Sequence, residues 1–308
     1  MATREHAGRK IAVTNLEKVL YPETGTTKGE VIDYYTAIAP AMLPHLAGRP
    51  VTRKRWPNGV EQGAFFEKNL ATSAPQWLDR RRIQHSDRVV VYPVFHSVAE
   101  LAWLGQQAAL EAHVPQWRFV GDVPGKATRV VFDLDPGDGV DLDRCAEVAV
   151  AVRDMIAGIG LTAYPVTSGS KGIHLYVPLE KELTTSGAST IAKHVATLLE
   201  TSMPDLVTSS MAKVERPGKI FLDWSQNNGN KTTIAPYSMR GRAHPTVAAP
   251  RSWEEIERGG LTQLTFTDVL ERFERGGDLL ADLDTDIETA GGDLLGPYRG
   301  KRSSTRTP

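Results

Sequence analysis

The chain has a single cysteine, Cys145, among its 308 residues, which excludes an internal disulfide and a cysteine-rich zinc site. It has no apolar run approaching the roughly 20 residues that span a bilayer. Its first residues, MATREHAGRK, lack the apolar core of a secretory signal. These absences predict a cytoplasmic protein with no membrane partner. Excess charge is missing too: 36 Lys and Arg stand against 37 Asp and Glu, a net charge of −1. Any polyanion site must therefore come from local clustering. No internal repeat or heptad run is present. With 41% hydrophobic and 24% charged residues the composition is that of an ordinary globular chain, long enough for one large domain or two average ones.

What the chain does have is concentrated in a few stretches. In RVVFDLDPGDG, from Arg129 to Gly139, two acids stand one residue apart at the end of an apolar run. Strand alternation puts Val131, Asp133 and Asp135 on one face and Val130, Phe132 and Leu134 on the other. Two carboxylates that close raise each other's pKa unless a cation lies between them. The pair asks for a metal, a proton or an arginine. After this strand the patterning predicts a helix at about 141–159, a strand at about 162–167 and the turn SGSKG. A strand at 172–178, a helix at about 186–202 and the strand KIFLDW at 219–224 follow. This is the β-α-β-β-α-β order of ferredoxin-like and RNA-recognition-like units, with helices on one face of the sheet and the other face left for a site. Cys145 shares a helix face with Leu142, Val148, Val152, Met155 and Ile159 and reads as a buried structural thiol.

Nearer the N-terminus, TGTTKGEVIDYYTAIAPAML carries a capping box, Thr27 with Glu30, ahead of an amphipathic helix. Lys28 falls in the first turn, where the helix dipole disfavours a cation. That hints at an anionic ligand, with a solvated surface lysine as the plain alternative. RPVTRKRWPNGVEQGAFFEKN gathers Arg49, Arg53, Lys54 and Arg55 before Phe65 and Phe66. Cations interleaved with rings suit phosphates and base faces; the bland reading is a hairpin with a charged outer strand and two core phenylalanines. HSVAELAWLGQQAALEAHVPQW has helical spacing that would put His113 at a helix end. After Pro250 short helices are expected, and the Gly-, Ser-, Thr- and Arg-rich end predicts a flexible tail or interdomain linker.

Three features converge on the β-α-β-β-α-β unit: the Asp133/Asp135 pair, the TSGSKGIH turn and Asp223 on its last strand. Ser168, Ser170, Lys171 and the turn N–H groups suit phosphates. Three carboxylates beside such a turn meet the requirement for phosphoryl transfer with divalent metals. A P-loop is excluded, because SGSKGIH lacks its spacing and the hydroxyl after the lysine. An EF-hand is excluded too, because counting from Asp133 puts Asp138 at the glycine position and Arg144 at the glutamate position. VVFDLD also resembles the opening of haloacid-dehalogenase-type phosphatases, although Pro136 and Gly137 depart from their pattern. Read alone, DLDPGDG also fits a strand ending in an Asp-rich turn, which leaves Asp223 unexplained.

Together VFDLDPGDG, PVTSGSKGIHLYVPL, KIFLDWSQNNGNKTTIAPYSMRGR and KVLYPETGTTKGEVIDYY resemble the polymerase domain of bacterial DNA ligase D. That domain belongs to the archaeo-eukaryotic primase superfamily and serves non-homologous end joining. The resemblance runs from about Thr14 to Pro250. It implies an α/β fold of α+β type, with a ferredoxin-like catalytic sheet in a primase-like frame. The N-terminal lobe would cover about 1–125, the catalytic sheet about 126–250, C-terminal helices about 251–292 and the tail 293–308.

The resemblance further implies a template-dependent nucleotidyltransferase that fills gaps and extends 3′ ends with NTPs or dNTPs, favouring ribonucleotides. It would use two divalent ions, manganese with magnesium as the alternative. Carried over residue by residue, Asp133, Asp135 and Asp223 would be the catalytic metal ligands, and Ser168, Lys171 and His174 would grip the triphosphate. Lys54, Gln226 and Arg240 would approach the incoming nucleotide, with His113 near its sugar. Lys18 and Lys28 would hold a 5′-phosphate across a gap, Phe65 and Phe66 would stack on the bent template beside Arg55, and Arg216 would engage the primer or a synapsed end. The implied partners are DNA with 3′ overhangs, gaps and 5′-phosphates, a Ku-type end-binding protein and a ligase domain in the same or another chain. A nucleoid-associated location goes with them. A DNA-end-binding module that bridges ends without synthesis is the rival reading, against which the complete acid triad speaks.

Overall fold

A computed structural model describes residues 2–283; the expected tail at 293–308 lies outside the described residues. The larger of two main sheets is built around the long strand Val123–Pro136. Ile173–Leu183 and Ile220–Leu222 flank it, both antiparallel, and Tyr164–Thr167 lies outside Ile173–Leu183. The four strands of the β-α-β-β-α-β unit thus lie in the spatial order fourth, first, third, second. The strand of Asp133 and Asp135 and the strand leading to Asp223 are neighbours.

Alternation along the central strand is as the sequence predicts. Val130, Phe132 and Leu134 enter one core with the helices Leu142–Ala157 and Thr185–Ser202. Val131 and, across from it, Tyr176 enter a second core shared with Leu20, Tyr34, Leu43 and Leu101. Each such fully buried side chain stabilises by about 1.5–3 kcal/mol. Asp141 caps the first helix by accepting from the Arg144 N–H at 2.9 Å. Cys145, Val148 and Val152 line its buried face, as expected, but Ile159 does not: it is 69% exposed and Ile156 takes its place. The chain leaves the helix at Gly158 and turns through Gly160 at φ +79°, which carries Ile159 outward.

The second sheet runs Thr233–Ile234, Ala109–Val114, Thr52–Arg55, Phe65–Glu67. The Thr27/Glu30 capping box forms as expected. Its helix, Lys28–Ala37, ends before Pro40, which sits in the first turn of a new helix, Ala39–Leu46, where a missing N–H costs nothing. Helix Val98–Gln106 also ends early. Ala108 turns the chain at φ +50°, and Ala109–Val114 continues as a strand, so His113 lies in a sheet and not at a helix end. ALEAHV has period two: Leu110, Ala112 and Val114 are buried on one side, with Glu111 and His113 alternating between them.

The hairpin of Thr52–Arg55 with Phe65–Glu67 forms, but its phenylalanines are not core residues. Phe65 is 46% and Phe66 58% exposed. Nor is its basic strand wholly an outer one. Arg53 is buried against the Trp103 ring at 5.1 Å and paired with Glu67 at 3.1 Å. Arg49 is buried as well, donating to the Pro115 carbonyl and to Thr128 Oγ1. The two sheets are tied where Tyr176 Oη donates to the Ile234 carbonyl at 2.9 Å.

Candidate active site

Asp133 faces His174 directly across the ladder, and His174 Nε2 lies 3.1 Å from Asp133 Oδ1. Asp135, two residues on, opposes Phe221. The Asp223 N–H donates to the Asp133 carbonyl at 2.8 Å, which brings the third acid beside the first. Asp223 is held by its own short helix: Oδ1 accepts from the Ser225 N–H at 3.0 Å and from the Ser225 hydroxyl, and Oδ2 accepts from Gln226 Nε2 at 2.9 Å. Partial burial first, then the Asp133 and Asp223 carboxylates, raise the pKa of Asp135, while His174 and Arg216 oppose the rise.

Gly137 ends the Asp133 strand at a spot where a Cβ would lie 1.9 Å from the Arg216 carbonyl, so only glycine lets the 213–219 loop approach. Arg216 stacks its guanidinium 3.8 Å from the Phe221 ring centroid, beside Asp135. Asn227, buried, completes the support by exchanging two 2.8 Å hydrogen bonds with the Val131 backbone.

The 168–172 turn is organised by Ser168. Its Oγ accepts from the N–H groups of Ser170 and Gly172, and the Gly169 N–H donates to Gln263 Oε1 at 2.7 Å. These three turn N–H groups are therefore engaged within the protein, contrary to the expectation that they face a phosphate. The cations around the turn remain: Lys171 is exposed, and Arg242 donates to Ser170 Oγ at 2.6 Å. Gly169, at φ +69°, leaves no room for a Cβ against Arg240 Cγ and Val247, both at 2.6 Å.

A second cluster joins this one through Arg240. Glu111, buried in strand Ala109–Val114, accepts from His113 Nε2 at 2.7 Å and from the Gly241 N–H at 3.1 Å, and pairs with Arg240 Nε at 3.4 Å. Lys54 is its cross-strand neighbour. Burial alone would push the Glu111 carboxyl up; His113, Arg240 and Lys54 outweigh it and hold the carboxyl at about 2. Burial also lowers the pKa of Arg240, against the pull of Glu111 and of both Asp133 and Asp135. His113 is lowered too, by burial first, with Glu111 opposing. The Lys54 ammonium sits 4.8 Å from the Trp56 ring and 5.2 Å from that of Phe66, which meets His113 edge-on at 5.5 Å. Arg55 lies over Phe65 at 5.4 Å.

Lys18 and Lys28 adjoin one another. The Lys28 N–H donates to the Lys18 carbonyl at 2.8 Å, and Lys18 Nζ donates to Asn58 Oδ1 at 3.2 Å. Lys28 is buried, and that burial and the Lys18 charge lower its pKa. Among the described residues neither lysine has a hydrogen bond or ion pair to the acid cluster. They form a separate cationic point.

The sequence reading missed Glu111, which period-two alternation with His113 would have revealed had the segment not been assigned to a helix. It also missed Lys231, whose Nζ lies 3.9 Å from Asp223 Oδ2. As the side chains stand, no group of three His, Cys, Asp or Glu among the described residues closes into a metal cage. The donor set nevertheless fits hard divalent ions: Asp133, Asp135 and Asp223 offer carboxylate oxygens, and the Asp135 carboxylate, disfavoured first by burial and then by its two acidic neighbours, is one that a cation would stabilise. No helix among the described residues is long and apolar enough to cross a membrane.

Residues 27–280 match the model of the family described as LigD, primase-polymerase domain. The chain is 57% identical over 306 residues to the multifunctional non-homologous end joining DNA repair protein LigD of Mycobacterium tuberculosis, covering 97% of this chain and 40% of that protein. It is 32% identical over 271 residues to the bifunctional non-homologous end joining protein LigD of Bacillus subtilis, covering 87% of this chain and 43% of that one. The chain thus spans about two fifths of the length of the curated relatives it matches. Among solved structures, the polymerase domain from Mycobacterium tuberculosis ligase D in complex with DNA superposes with a TM-score of 0.88 at 59% identity, covering 90% of this chain and 98% of that one.

Proposed function

Because the chain belongs to the LigD primase-polymerase domain family, we propose that it is a template-dependent nucleotidyltransferase that fills gaps and extends 3′ ends during double-strand break repair by end joining. The observation that carries this reading is the meeting of Asp133, Asp135 and Asp223 with His174 and the 168–172 turn, and the half-buried Arg240 that links them to Lys54, Glu111 and His113.

In this reading Asp133, Asp135 and Asp223 hold two divalent ions, manganese or magnesium, which when bound neutralise charge at the phosphorus centre and lower the pKa of the primer 3′-hydroxyl. His174 orients Asp133. Lys171, Arg240 and Arg242 surround the triphosphate, with Ser168 shaping the turn. Lys54 and His113 hold the sugar side of the incoming nucleotide, and Gln226 fixes Asp223. Phe65 and Phe66, exposed beside Arg55, stack on the template. Lys18 and Lys28 take the 5′-phosphate across a gap, and Arg216 engages the primer or a synapsed end. Ribonucleotides are the favoured substrates. A Ku-type protein and a ligase domain are the partners, at the nucleoid in the cytoplasm.

The test is primer extension on a gapped duplex with manganese and either NTPs or dNTPs. The wild-type chain should extend, faster with NTPs, and Asp135→Ala should not while still retarding the DNA. Retardation without extension by the wild-type chain would leave an end-binding module instead.

A further inference from the structure

A cavity of about 320 Å³ opens beside the nucleotide cluster, with Thr52, Lys68, His85, Thr185, Ser186 and Asn230 in its wall. It continues the sheet face already described. Thr52 and Lys54 alternate onto one side of their strand, and Thr52 pairs across to His113 as Lys54 pairs to Glu111. Among the described residues its lining holds no Asp or Glu, in a chain where 37 of 308 residues are acidic. Lys68 supplies a cation.

Two further observations point to an anion with hydrogen-bond acceptors. The 18-residue helix Thr185–Ser202 begins at the cavity, so the N–H groups of Thr185 and Ser186, which have no partner within the helix, lie at its positive end. Independently, Thr52 is 1% exposed and its Oγ1 has no hydrogen-bond partner. A buried polar atom left unsatisfied is costly unless something outside the chain completes it. The opposite wall is fixed: Trp117 Nε1 donates to the Gly229 carbonyl at 2.8 Å, and a Cβ on Gly229 would lie 3.0 Å from Thr185 Oγ1.

We propose that this cavity is a subsite for the sugar–phosphate backbone of one nucleic-acid strand passing from the nucleotide site, with Lys68, Thr52 and the first turn of the Thr185 helix holding a phosphodiester. It rests on the polymerase reading for the identity of the strand, template or primer.

The test measures affinity for a fluorescent gapped duplex in metal-free buffer, where no synthesis occurs. Ser186→Glu and Lys68→Ala should each weaken binding about tenfold and flatten the dependence of log K on log salt by about 0.7–0.9 for each phosphate no longer neutralised. An acid in a first helical turn suits the helix, so Ser186→Glu leaves folding intact. A trapping experiment then identifies the strand. Cys145, the one native cysteine, is buried, so in Ser186→Cys the introduced thiol alone is accessible to exchange with a mixed disulfide tethered to a DNA phosphate, the small capping thiol leaving. Trapping near the primer terminus should succeed with one strand and not the other. Wild-type affinity and salt slope in both variants, together with no trapping on either strand, would overturn the subsite while leaving extension untouched. Loss of affinity with no extension by the wild-type chain would keep the subsite and remove the polymerase.

Discussion

Replacing Glu111 by Gln removes one negative charge and almost no volume from the junction of His113, Arg240 and Lys54. The carboxyl sits at about 2 in the fold against an ordinary 4.5. A depressed carboxylate pKa contributes stability that is complete above the unfolded value and is lost as pH falls through the folded one. At about 1.4 kcal/mol per pH unit, the shift corresponds to about 3 kcal/mol at pH 7. By the same linkage about 2 kcal/mol remains at pH 3.5, and the contribution vanishes only below about pH 2. Urea unfolding of wild type and Glu111→Gln at pH 7, 5 and 3.5 measures this. The gap between the two should be about 3 kcal/mol at pH 7 and 5 and should narrow at pH 3.5, with an unchanged denaturant slope. If Glu111 positions Arg240 and His113 as argued, KM for the nucleotide should rise more than kcat falls, and Glu111→Asp should restore part of it. A gap under 1 kcal/mol at neutral pH, or one that does not shrink with acid, would refute the reasoning.

Asp135→Asn should raise the melting temperature of the metal-free chain at pH 7, because the folded state disfavours the ionised Asp135 carboxyl. Adding manganese should then stabilise wild type more than the variant, and thermal unfolding with and without the ion reads both effects. Lys28→Ala should weaken binding to gapped DNA bearing a 5′-phosphate by about 1.5–3 kcal/mol, the value of a charge-assisted hydrogen bond. Equal loss with 5′-hydroxyl DNA, measured by anisotropy, would remove the phosphate assignment. Phe66→Ala, at a ring 58% exposed, should leave the unfolding midpoint nearly unchanged while costing about 1–3 kcal/mol of DNA affinity if a base stacks there.

Local patterning determined much of this protein before any coordinates. Alternation in RVVFDLD put the two acids opposite Val130, Phe132 and Leu134, and the two cores of the fold follow that division. The Thr27/Glu30 box started its helix, and the β-α-β-β-α-β order set the sheet, because these features depend on neighbours within a few residues. Resemblance of the motifs to a family then supplied roles that no spacing could. Other features depended on which distant surface each segment meets. The helical spacing before His113 gave way at Ala108 because the following alternation fits a strand between Thr52–Arg55 and Thr233–Ile234, and those partners lie 54 to 121 residues away in the chain. Phe65 shares its strand face with Arg53, which with Trp103 and Glu67 already fills the space there, while Phe66, on the opposite face, is left at the surface against Lys54 and His113. In the Ser168 turn the bonds to Ser168 Oγ are local, but the Gly169 N–H is taken up by Gln263, 94 residues on. Glu111 stayed hidden because the helical spacing before it was extended over its strand. A buried acid reveals its purpose only when Arg240, 129 residues on, is folded against it.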